Sequence, residues 1–372
     1  MSLPAPPHPH RLERLRAWME DERLDAVACF GADHVTHLCG YARYFGGPSA
    51  IVVGGDGERT LVVMLDEARV ARELSDADDV VGYGERGFGL DLNPAVKLAA
   101  AVASVPAVAA AKRLGLASEL PAIEPLLAGE TAAALISADA AMLRLRLVKD
   151  PDEVARIGAS YELCWLAQQA VGEHASPGTQ EIELYTAAQS VAQIASGAPI
   201  EFVCDLLSGP STAEVCSPIH VAGTRRLEQG DPVVADIVVR SRGYWGDSAE
   251  THATDGHAEA AAARSELLEI LHSAGALLVP GATGAELHRE VDTRIRSTFP
   301  GGEFPHHGGH ALGLTSFEDP HLIPTDTLPF EPWMVLAVEP GVYFPGRFGA
   351  RVENVFLVTD AGGVDLREAL HA

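Results

Sequence analysis

The first part of the chain alternates short apolar runs with amphipathic stretches. Apolar residues recur at helical spacing near its start, at Leu12, Leu15, Trp18 and Met19. This spacing predicts an amphipathic helix over residues 11–24. Runs typical of strands follow at 25–30, 50–53, 60–65 and 80–83. Residues 31–33 are predicted to form a turn, and residues 94–136 alternate helical stretches with short strands. We therefore expect a small α/β domain over residues 1–142.

The second part of the chain has longer helical stretches. Helices are predicted at 151–175, 179–196, 257–277 and 283–298, with strands between and after them. Pro151, followed by Asp152 and Glu153, is typical of a helix start, because acidic side chains are favoured near the positive end of the helix dipole. Helices that bracket antiparallel strands indicate a second, α+β domain over residues 143–372.

Three acidic residues interrupt short β-branched runs of this second part: Asp236 in 233–239, Glu339 in 335–339 and Glu353 in 351–358. A lone carboxylate in a buried strand is strongly unfavourable unless a cation pairs with it. No matching row of lysine or arginine accompanies these runs, so a bound metal ion would account for all three acids together. Exposure of each acid at a strand edge is the competing interpretation, and it suits a single acid better than the whole set.

The spacing of the acids suggests that they meet in pairs. A tight hairpin centred on residues 241–242 predicts that Asp236 and Asp247 lie directly opposite each other on one face. Glu339 and Glu353 are likewise symmetric about a Pro-Gly-Arg turn. Four carboxylates packed together repel one another unless cations neutralise them, and two divalent ions would balance their charge.

His310, in the segment Gly-Gly-His-Ala-Leu-Gly, is the candidate nitrogen ligand. Oxygen donors with one imidazole favour Mn²⁺, Co²⁺ or Fe²⁺ over a sulfur-rich structural zinc site. We therefore predict two divalent ions, Mn²⁺ or Co²⁺, with Fe²⁺ and Zn²⁺ as the alternatives.

Composition narrows the class of protein. The chain is 47 % hydrophobic and 21 % charged, as in ordinary globular proteins, and its net charge of −25 argues against a nucleic-acid partner. Its five cysteines are odd in number and lack CxxC spacing, which is typical of free thiols in a reducing compartment. Without an apolar signal core in residues 1–10 or a run of membrane-spanning length, we expect a cytoplasmic protein with no membrane partner.

The order Asp236, Asp247, His310, Glu339, Glu353 resembles the five-ligand set of the pita-bread metallopeptidases, which include prolidase, aminopeptidase P and methionine aminopeptidase. The neighbouring residues match as well: Gly230-Asp231 ahead of Asp236, Gly243-Tyr244 ahead of Asp247, Gly309-His310, Val338-Glu339-Pro340-Gly341 and Arg351-Val352-Glu353-Asn354. Residues 11–140 resemble the creatinase/prolidase N-terminal domain. The resemblance implies a C-terminal pita-bread domain after a smaller creatinase-type α/β domain, and commonly a homodimer.

The resemblance also implies roles for the matching residues. Five residues would hold two metal ions: Asp236 one of them, His310 and Glu339 the other, and Asp247 and Glu353 both. A hydroxide between the ions would attack the scissile carbonyl. Glu339 would act as general base and then pass the proton to the leaving amine. Arg351 would orient a ligand carboxylate.

The residues that would contact the substrate match the family less completely. His220 lies near the position of the family's substrate-binding histidine, one residue short in its spacing to Asp236, and His306 lies four residues before His310. Phe317 stands where the peptidases generally carry another histidine, and a phenyl ring cannot donate a hydrogen bond. After Asp247, the usual Thr-Arg-Thr is Ala-Glu-Thr, so a charge beside the site is expected to be inverted.

Three functions remain open. The first is a Xaa-Pro dipeptidase or aminopeptidase that cleaves short peptides. The second, favoured by Phe317, is a metal-dependent hydrolase or lyase of a small non-peptide molecule, similar to creatinase. The third is a non-catalytic binding module, which the complete ligand set argues against.

Overall fold

The computed structural model describes residues 5–85, 93–214, 222–253 and 256–371. Within these ranges the chain forms two compact units, His8–Arg146 and a second that begins at Leu147. Both units combine helices with sheets, which confirms the predicted fold class. No helix in the described ranges is both long enough and apolar enough to span a membrane.

The first unit surrounds a mixed sheet. Among the described residues it contains the elements α1 Arg11–Asp21, β1 Ala26–Phe30, α2 Ala32–Cys39, β2 Ala50–Gly54, β3 Arg59–Met64, α3 Ala68–Leu74, β4 Asp79–Tyr83, α4 Pro94–Ala103, α5 Pro106–Ala109, β5 Arg113–Ser118, α6 Ile123–Glu130, β6 Ala134–Ser137 and α7 Asp139–Leu147. Its strands pair in the order β4-β3-β2-β1-β5-β6, and apolar side chains from both faces form its core.

The predicted turn at residues 31–33 is wrong, because helix α2 begins there. Gly31, with φ of 128°, turns the chain out of β1 into the helix. The Glu119 carboxylate then accepts the backbone N–H groups of Asp33 and His34 at 3.3 and 3.2 Å. An acid more than 80 residues away in sequence therefore satisfies the first turn of the helix.

The second unit joins helices to antiparallel sheets. Its described elements are α8 Pro151–His174, α9 Glu181–Ser196, β7 Glu201–Ser208, β8 Pro232–Ser241, β9 Tyr244–Ala253, α10 Ala258–Gly275, α11 Gly284–Thr298, β10 Gly309–Ala311, β11 Glu318–His321, β12 Val335–Val338, β13 Gly341–Phe344, β14 Phe348–Arg351, β15 Asn354–Thr359, β16 Gly362–Asp365 and α12 Leu366–His371. The four long helices lie within a few residues of their predicted bounds. Strands pair as β7-β8-β9, β11-β10-β12-β15-β16 and β13-β14.

Helix α8 packs against one face of the sheet that carries Asp236 and Asp247. The buried Gln168 amide donates to the carbonyl oxygens of Ala235 and Ser248 at 2.9 and 2.8 Å, and so ties β8 to β9. Gly246 approaches the helix so closely that an added Cβ would lie 2.2 Å from the backbone nitrogen of Tyr161. The opposite face of these strands remains for the site.

Candidate metal centre

Strands β7, β8 and β9 place their side chains in rows on the face turned away from α8. Cross-strand partners share a face of a sheet, and here the rows are Asp205-Asp236-Ala249 and Val203-Val238-Asp247. Asp236 and Asp247 are therefore diagonal neighbours on one face. Their side chains line a cleft of about 420 Å³ together with His310, Glu339 and Glu353.

The predicted direct pairing of Asp236 with Asp247 is wrong, because the register of the two strands differs from the predicted one by two residues. Asp236 lies opposite Ala249, and Asp247 lies opposite Val238. The cause is the turn: Arg242 and Gly243 have φ of 51° and 86°, so they form a two-residue loop whose centre lies one residue later than predicted. The two carboxylates still share a face, because a register shift of two residues leaves every side chain on the same side of the sheet.

The register predicted for Glu339 and Glu353 is confirmed on both sides of the pair. Val338 at the end of β12 lies opposite Asn354 at the start of β15, and Gly341 at the start of β13 lies opposite Arg351 at the end of β14. The two glutamates occupy the positions between these ladders. Both are buried, with 6 % of Glu339 and 2 % of Glu353 exposed.

His310 faces these carboxylates in one defined tautomer. Its Nδ1 lies 3.0 Å from the carbonyl oxygen of Ala311, which can only accept, so Nδ1 carries the proton. The lone pair on Nε2 then faces Asp247 Oδ2 at 3.7 Å and Glu339 Oε1 at 3.8 Å. When the carboxylates are ionised, they and the Nε2 lone pair repel one another, and a shared cation removes the repulsion.

The geometry fits a metal ion in two further respects. Donor atoms of Asp247, His310 and Glu353 all lie within 4.8 Å of one another, so small side-chain adjustments bring them to the bonds of about 2.0–2.2 Å that a shared ion requires. In addition, Asp247 Oδ1 and Glu353 Oε1 are buried, and neither has a hydrogen-bond partner among the described residues. Oxygen atoms left in this way are costly unless a ligand satisfies them.

The electrostatics of the site follow from burial and crowding. Burial, and then repulsion from neighbouring acids, raises the pKa values of Asp247 and Glu353 well above their ordinary range. Burial raises the pKa of Glu339 to about 8 and lowers that of His310 to about 3. The protein alone thus favours neutral acids and a neutral imidazole, and ionised carboxylates require added positive charge.

Arg351, which was expected to orient a ligand carboxylate, supplies part of that positive charge. Its guanidinium donates Nη1–H to Asp236 and Nε–H to the Tyr343 hydroxyl, the latter at 2.8 Å. The hydroxyl in turn lies 3.0 Å from His306 Nε2, whose ring donates Nδ1–H to the carbonyl oxygen of His307 at 2.7 Å. Arg351 thereby holds one orientation of the Asp236 carboxylate.

The other residues predicted to contact the substrate differ in where they lie relative to the cleft. Phe317 lines the same cleft with 57 % of its surface exposed, and its ring centroid lies 4.3 Å from that of His310. His306 has 10 % of its side chain exposed, and its Nδ1 lies 3.8 Å from Glu339 Oε2. His220 lies outside the described residues.

The expected inversion of charge at position 250 does not reach the site. Glu250 points to the opposite face of β9, where Arg264 donates to both of its carboxylate oxygens at 2.6 Å. Ala249 does face the site, directly opposite Asp236, and its carbonyl oxygen accepts the backbone N–H of Glu353 at 2.8 Å. Of the two changes, only the absence of a hydroxyl at residue 249 lies on the face of the sheet that carries Asp236.

Two cleft residues escaped the sequence analysis. His307 Nδ1 lies 3.2 Å from Glu339 Oε1, and Asp205 lies beside Asp236 on β7. Asp205 carried the same signal as the other acids, because it interrupts the apolar run Phe202-Val203-Cys204-Asp205-Leu206-Leu207. His307 had no signal of its own beyond its place between two other histidines.

Comparison with known proteins decides the family. The model of metallopeptidase family M24 matches residues 155–360, more than half of the chain, and that of the creatinase/prolidase N-terminal domain matches residues 11–148. The chain belongs to metallopeptidase family M24. The resemblance to the pita-bread metallopeptidases is therefore confirmed, and membership of a metallopeptidase family, together with this donor set, supports divalent metal ions as cofactors.

Individual relatives are similar at moderate identity. A probable dipeptidase PepE of Mycobacterium tuberculosis is 31 % identical over 231 residues, which are 61 % of this chain and 60 % of that relative. The Xaa-Pro dipeptidase of Pyrococcus furiosus is 26 % identical over 95 % of this chain and 96 % of its own length. The crystal structure of the prolidase from Pyrococcus horikoshii OT3 superposes with a TM-score of 0.77 at 25 % identity, covering 96 % of this chain and 97 % of that one.

Proposed function

We propose that this protein is a metal-dependent peptidase that cleaves Xaa-Pro bonds of short peptides, as a dipeptidase or an aminopeptidase. The observation that carries the proposal is the buried convergence of Asp247, His310, Glu339 and Glu353 on one side of an open cleft. Similarity to a Xaa-Pro dipeptidase over 95 % of the chain supports the substrate class. We also propose domains at 1–142 and 143–372, a homodimer and a cytoplasmic location.

The donor set supports two ions, with Mn²⁺ or Co²⁺ favoured over Fe²⁺ or Zn²⁺. Asp236, Asp247, His310, Glu339 and Glu353 would hold these ions. Carboxylate oxygens with a single imidazole suit these metals. Such ions lower the pKa of water and polarise a carbonyl group.

The proton of the attacking water is transferred by a side chain of the protein. Glu339 is placed to accept a proton from the attacking water and to return it to the leaving amine, because its carboxylate is buried at the wall of the cleft. His307 and His310 flank it with ring nitrogens at 3.2 and 3.8 Å from Oε1. Arg351 holds Asp236 in place through its hydrogen bond, so the ligand need not reorient during turnover.

One observation favours a different substrate. Phe317 covers His310 with an apolar ring, and the cleft offers no histidine at that position for hydrogen bonding. A small non-peptide substrate, cleaved by a hydrolase or lyase reaction on the same fold, would depend less on such a contact. We keep this as the second candidate.

A panel of Xaa-Pro dipeptides and Xaa-Pro-Yaa tripeptides, assayed with added Mn²⁺, tests the proposal. We expect slow turnover by the wild type, faster turnover by Phe317→His, and a preference for one peptide length that separates dipeptidase from aminopeptidase. Asp292→Asn, which removes a half-buried carboxylate that pairs with Arg296 on α11, serves as the control and should behave as wild type. If neither wild type nor Phe317→His cleaves any member of the panel, the non-peptide candidate replaces this proposal.

A further inference from the structure

A buried ion pair lies behind the loop that carries Phe317, residues 313–318. Lys149 Nζ lies 2.7 Å from Glu318 Oε2, and the two side chains are 1 % and 8 % exposed. Lys149 precedes helix α8, and Glu318 begins strand β11 directly after Phe317. The pair therefore joins the first residues of the second unit to a loop at the wall of the cleft.

Glu318 also binds the loop itself. Its other carboxylate oxygen, Oε1, accepts the backbone N–H groups of Leu314 and Thr315 at 3.0 and 3.3 Å. The Thr315 hydroxyl in turn donates to the carbonyl oxygen of Phe317 at 2.8 Å. One carboxylate thus holds the loop on one side and the Lys149 ammonium group on the other.

Gly313 leaves room for the ion pair. A Cβ at this position would lie 2.9 Å from Glu318 Oε2 and 3.1 Å from Lys149 Cε. The carbonyl oxygen of Gly313 accepts the backbone N–H of Trp245 at 2.8 Å, which ties the loop to β9. The loop is therefore held through its backbone, close to the residue that faces the cleft.

Phe317 requires such support, because packing against the protein covers less than half of its surface. The residue is 57 % exposed, although its ring centroid lies 4.3 Å from that of His310. It lines the cleft together with Trp245 and Val238. A ligand that covers the ring buries apolar surface, which is favourable.

Stability alone does not account for the ion pair. Taking two charges out of water costs about as much as their attraction returns, and apolar side chains could fill the same space. Hydrogen bonds to a carboxylate, in contrast, fix the positions of the donors that make them. The arrangement of Lys149 and Glu318 is therefore suited to fixing the loop in one place.

We propose that Lys149 and Glu318 are positioning residues, which hold the Phe317 ring in the cleft so that it packs against an apolar part of the bound substrate. Neither of the two lines the cleft, so both act through Phe317. This inference rests on the proposed peptidase function and adds a determinant of substrate binding to it.

Glu318→Gln tests the inference, because glutamine offers a single acceptor oxygen to donors on two sides. Hydrogen exchange followed by mass spectrometry should show faster exchange over residues 313–318, since the N–H groups of Leu314 and Thr315 lose their acceptor. On Leu-Pro with Mn²⁺, KM should rise about 3- to 10-fold, the value of one aromatic contact. The kcat should change less than about 2-fold, because the lost contact is made equally in the ground and transition states.

Phe317→Ala should raise KM by a similar factor without faster exchange at Leu314 and Thr315. In the double variant, Glu318→Gln should add nothing to the KM of Phe317→Ala, because its effect passes through the ring that is already missing. Lys149→Met should reproduce the KM of Glu318→Gln and replaces it where that variant does not fold.

Glu181→Gln is the matched control. Glu181 is a buried glutamate of the same unit, outside the cleft, whose two oxygens accept the Ser208 hydroxyl at 2.6 Å and the Gly223 N–H at 3.1 Å. It should lower the melting temperature and leave KM unchanged.

Three results would overturn the inference: unchanged exchange over 313–318 in Glu318→Gln, a wild-type KM in Phe317→Ala, or multiplicative effects on KM in the double variant. The second of these can be measured even if neither variant of the ion pair folds. No turnover of any Xaa-Pro peptide refutes the proposed function itself, and the exchange measurement then still tests the role of Glu318 in the loop.

Discussion

Glu339→Gln tests two properties of the buried Glu339 carboxyl group: its titration in the metal-free protein and its contribution to metal binding. In the metal-free protein, burial raises the pKa of Glu339 from an ordinary 4.5 to about 8. Between these values the folded protein keeps a proton that the unfolded chain has lost, so the free energy of unfolding falls as pH rises. The destabilisation begins above pH 4.5 and is complete above about pH 8. Glutamine carries no ionisable proton and removes this dependence.

The magnitude follows from the span between the two pKa values. Each pH unit corresponds to about 1.4 kcal/mol, so the full span corresponds to about 5 kcal/mol. Metal-free Glu339→Gln should therefore gain stability relative to wild type by about 1.4 kcal/mol per pH unit between pH 5 and 8. With Mn²⁺ present the order reverses, because glutamine is a weaker ligand and the bound ion stabilises wild type by mass action.

Urea denaturation followed by circular dichroism, after chelation and again with Mn²⁺, measures both effects. The comparison is variant against wild type, because several buried histidines with lowered pKa values give the opposite slope in both proteins below about pH 6.5: His34, His252, His306 and His310. Glu290→Gln, at an exposed pair on α11, is the isosteric control and should show no such slope. A metal-free Glu339→Gln that is equally or less stable than wild type at pH 8 would refute the reasoning.

Three further substitutions test the site and the scaffold behind it. Asp247→Asn should abolish binding of divalent ions, because it removes one carboxylate of the three-residue cluster with His310 and Glu353; elemental analysis after reconstitution checks this, and retained stoichiometric metal would contradict it. Gln168→Leu leaves two buried carbonyl oxygens on β8 and β9 without their donor and should cost about 2–4 kcal/mol, measured by urea denaturation; a loss below about 0.5 kcal/mol would argue against that role. Gly246→Ala places a Cβ against the backbone of helix α8 and should lower the melting temperature by several degrees and weaken Mn²⁺ binding in calorimetry, whereas unchanged values would show that the helix can move.

The helices of both units could be read from the sequence because their signal is local. Apolar spacing and capping residues lie within a few positions of the ends that they define, as at Pro151 and at Thr283, whose hydroxyl accepts the backbone N–H of Glu286. Helix α2 was missed for the opposite reason. Its first turn is satisfied by Glu119, and a window on residues 31–39 does not contain that contact.

The sequence by itself identified Asp236, Glu339 and Glu353, three of the acids that line the cleft, because a carboxylate inside an apolar strand is unfavourable without a cation and its position is visible in the pattern. It also placed Glu339 opposite Glu353, since a short hairpin fixes its register by counting. Only the tertiary structure decided the rest. The dihedral angles of Arg242 and Gly243 set the pairing of Asp236, and the folding of β14 against β8 brought Arg351 to it. Asp205 faces the cleft and Glu250 faces away from it. The alternation of side chains along a strand is visible in the sequence, but which of the two faces lines the cleft depends on what packs against the sheet.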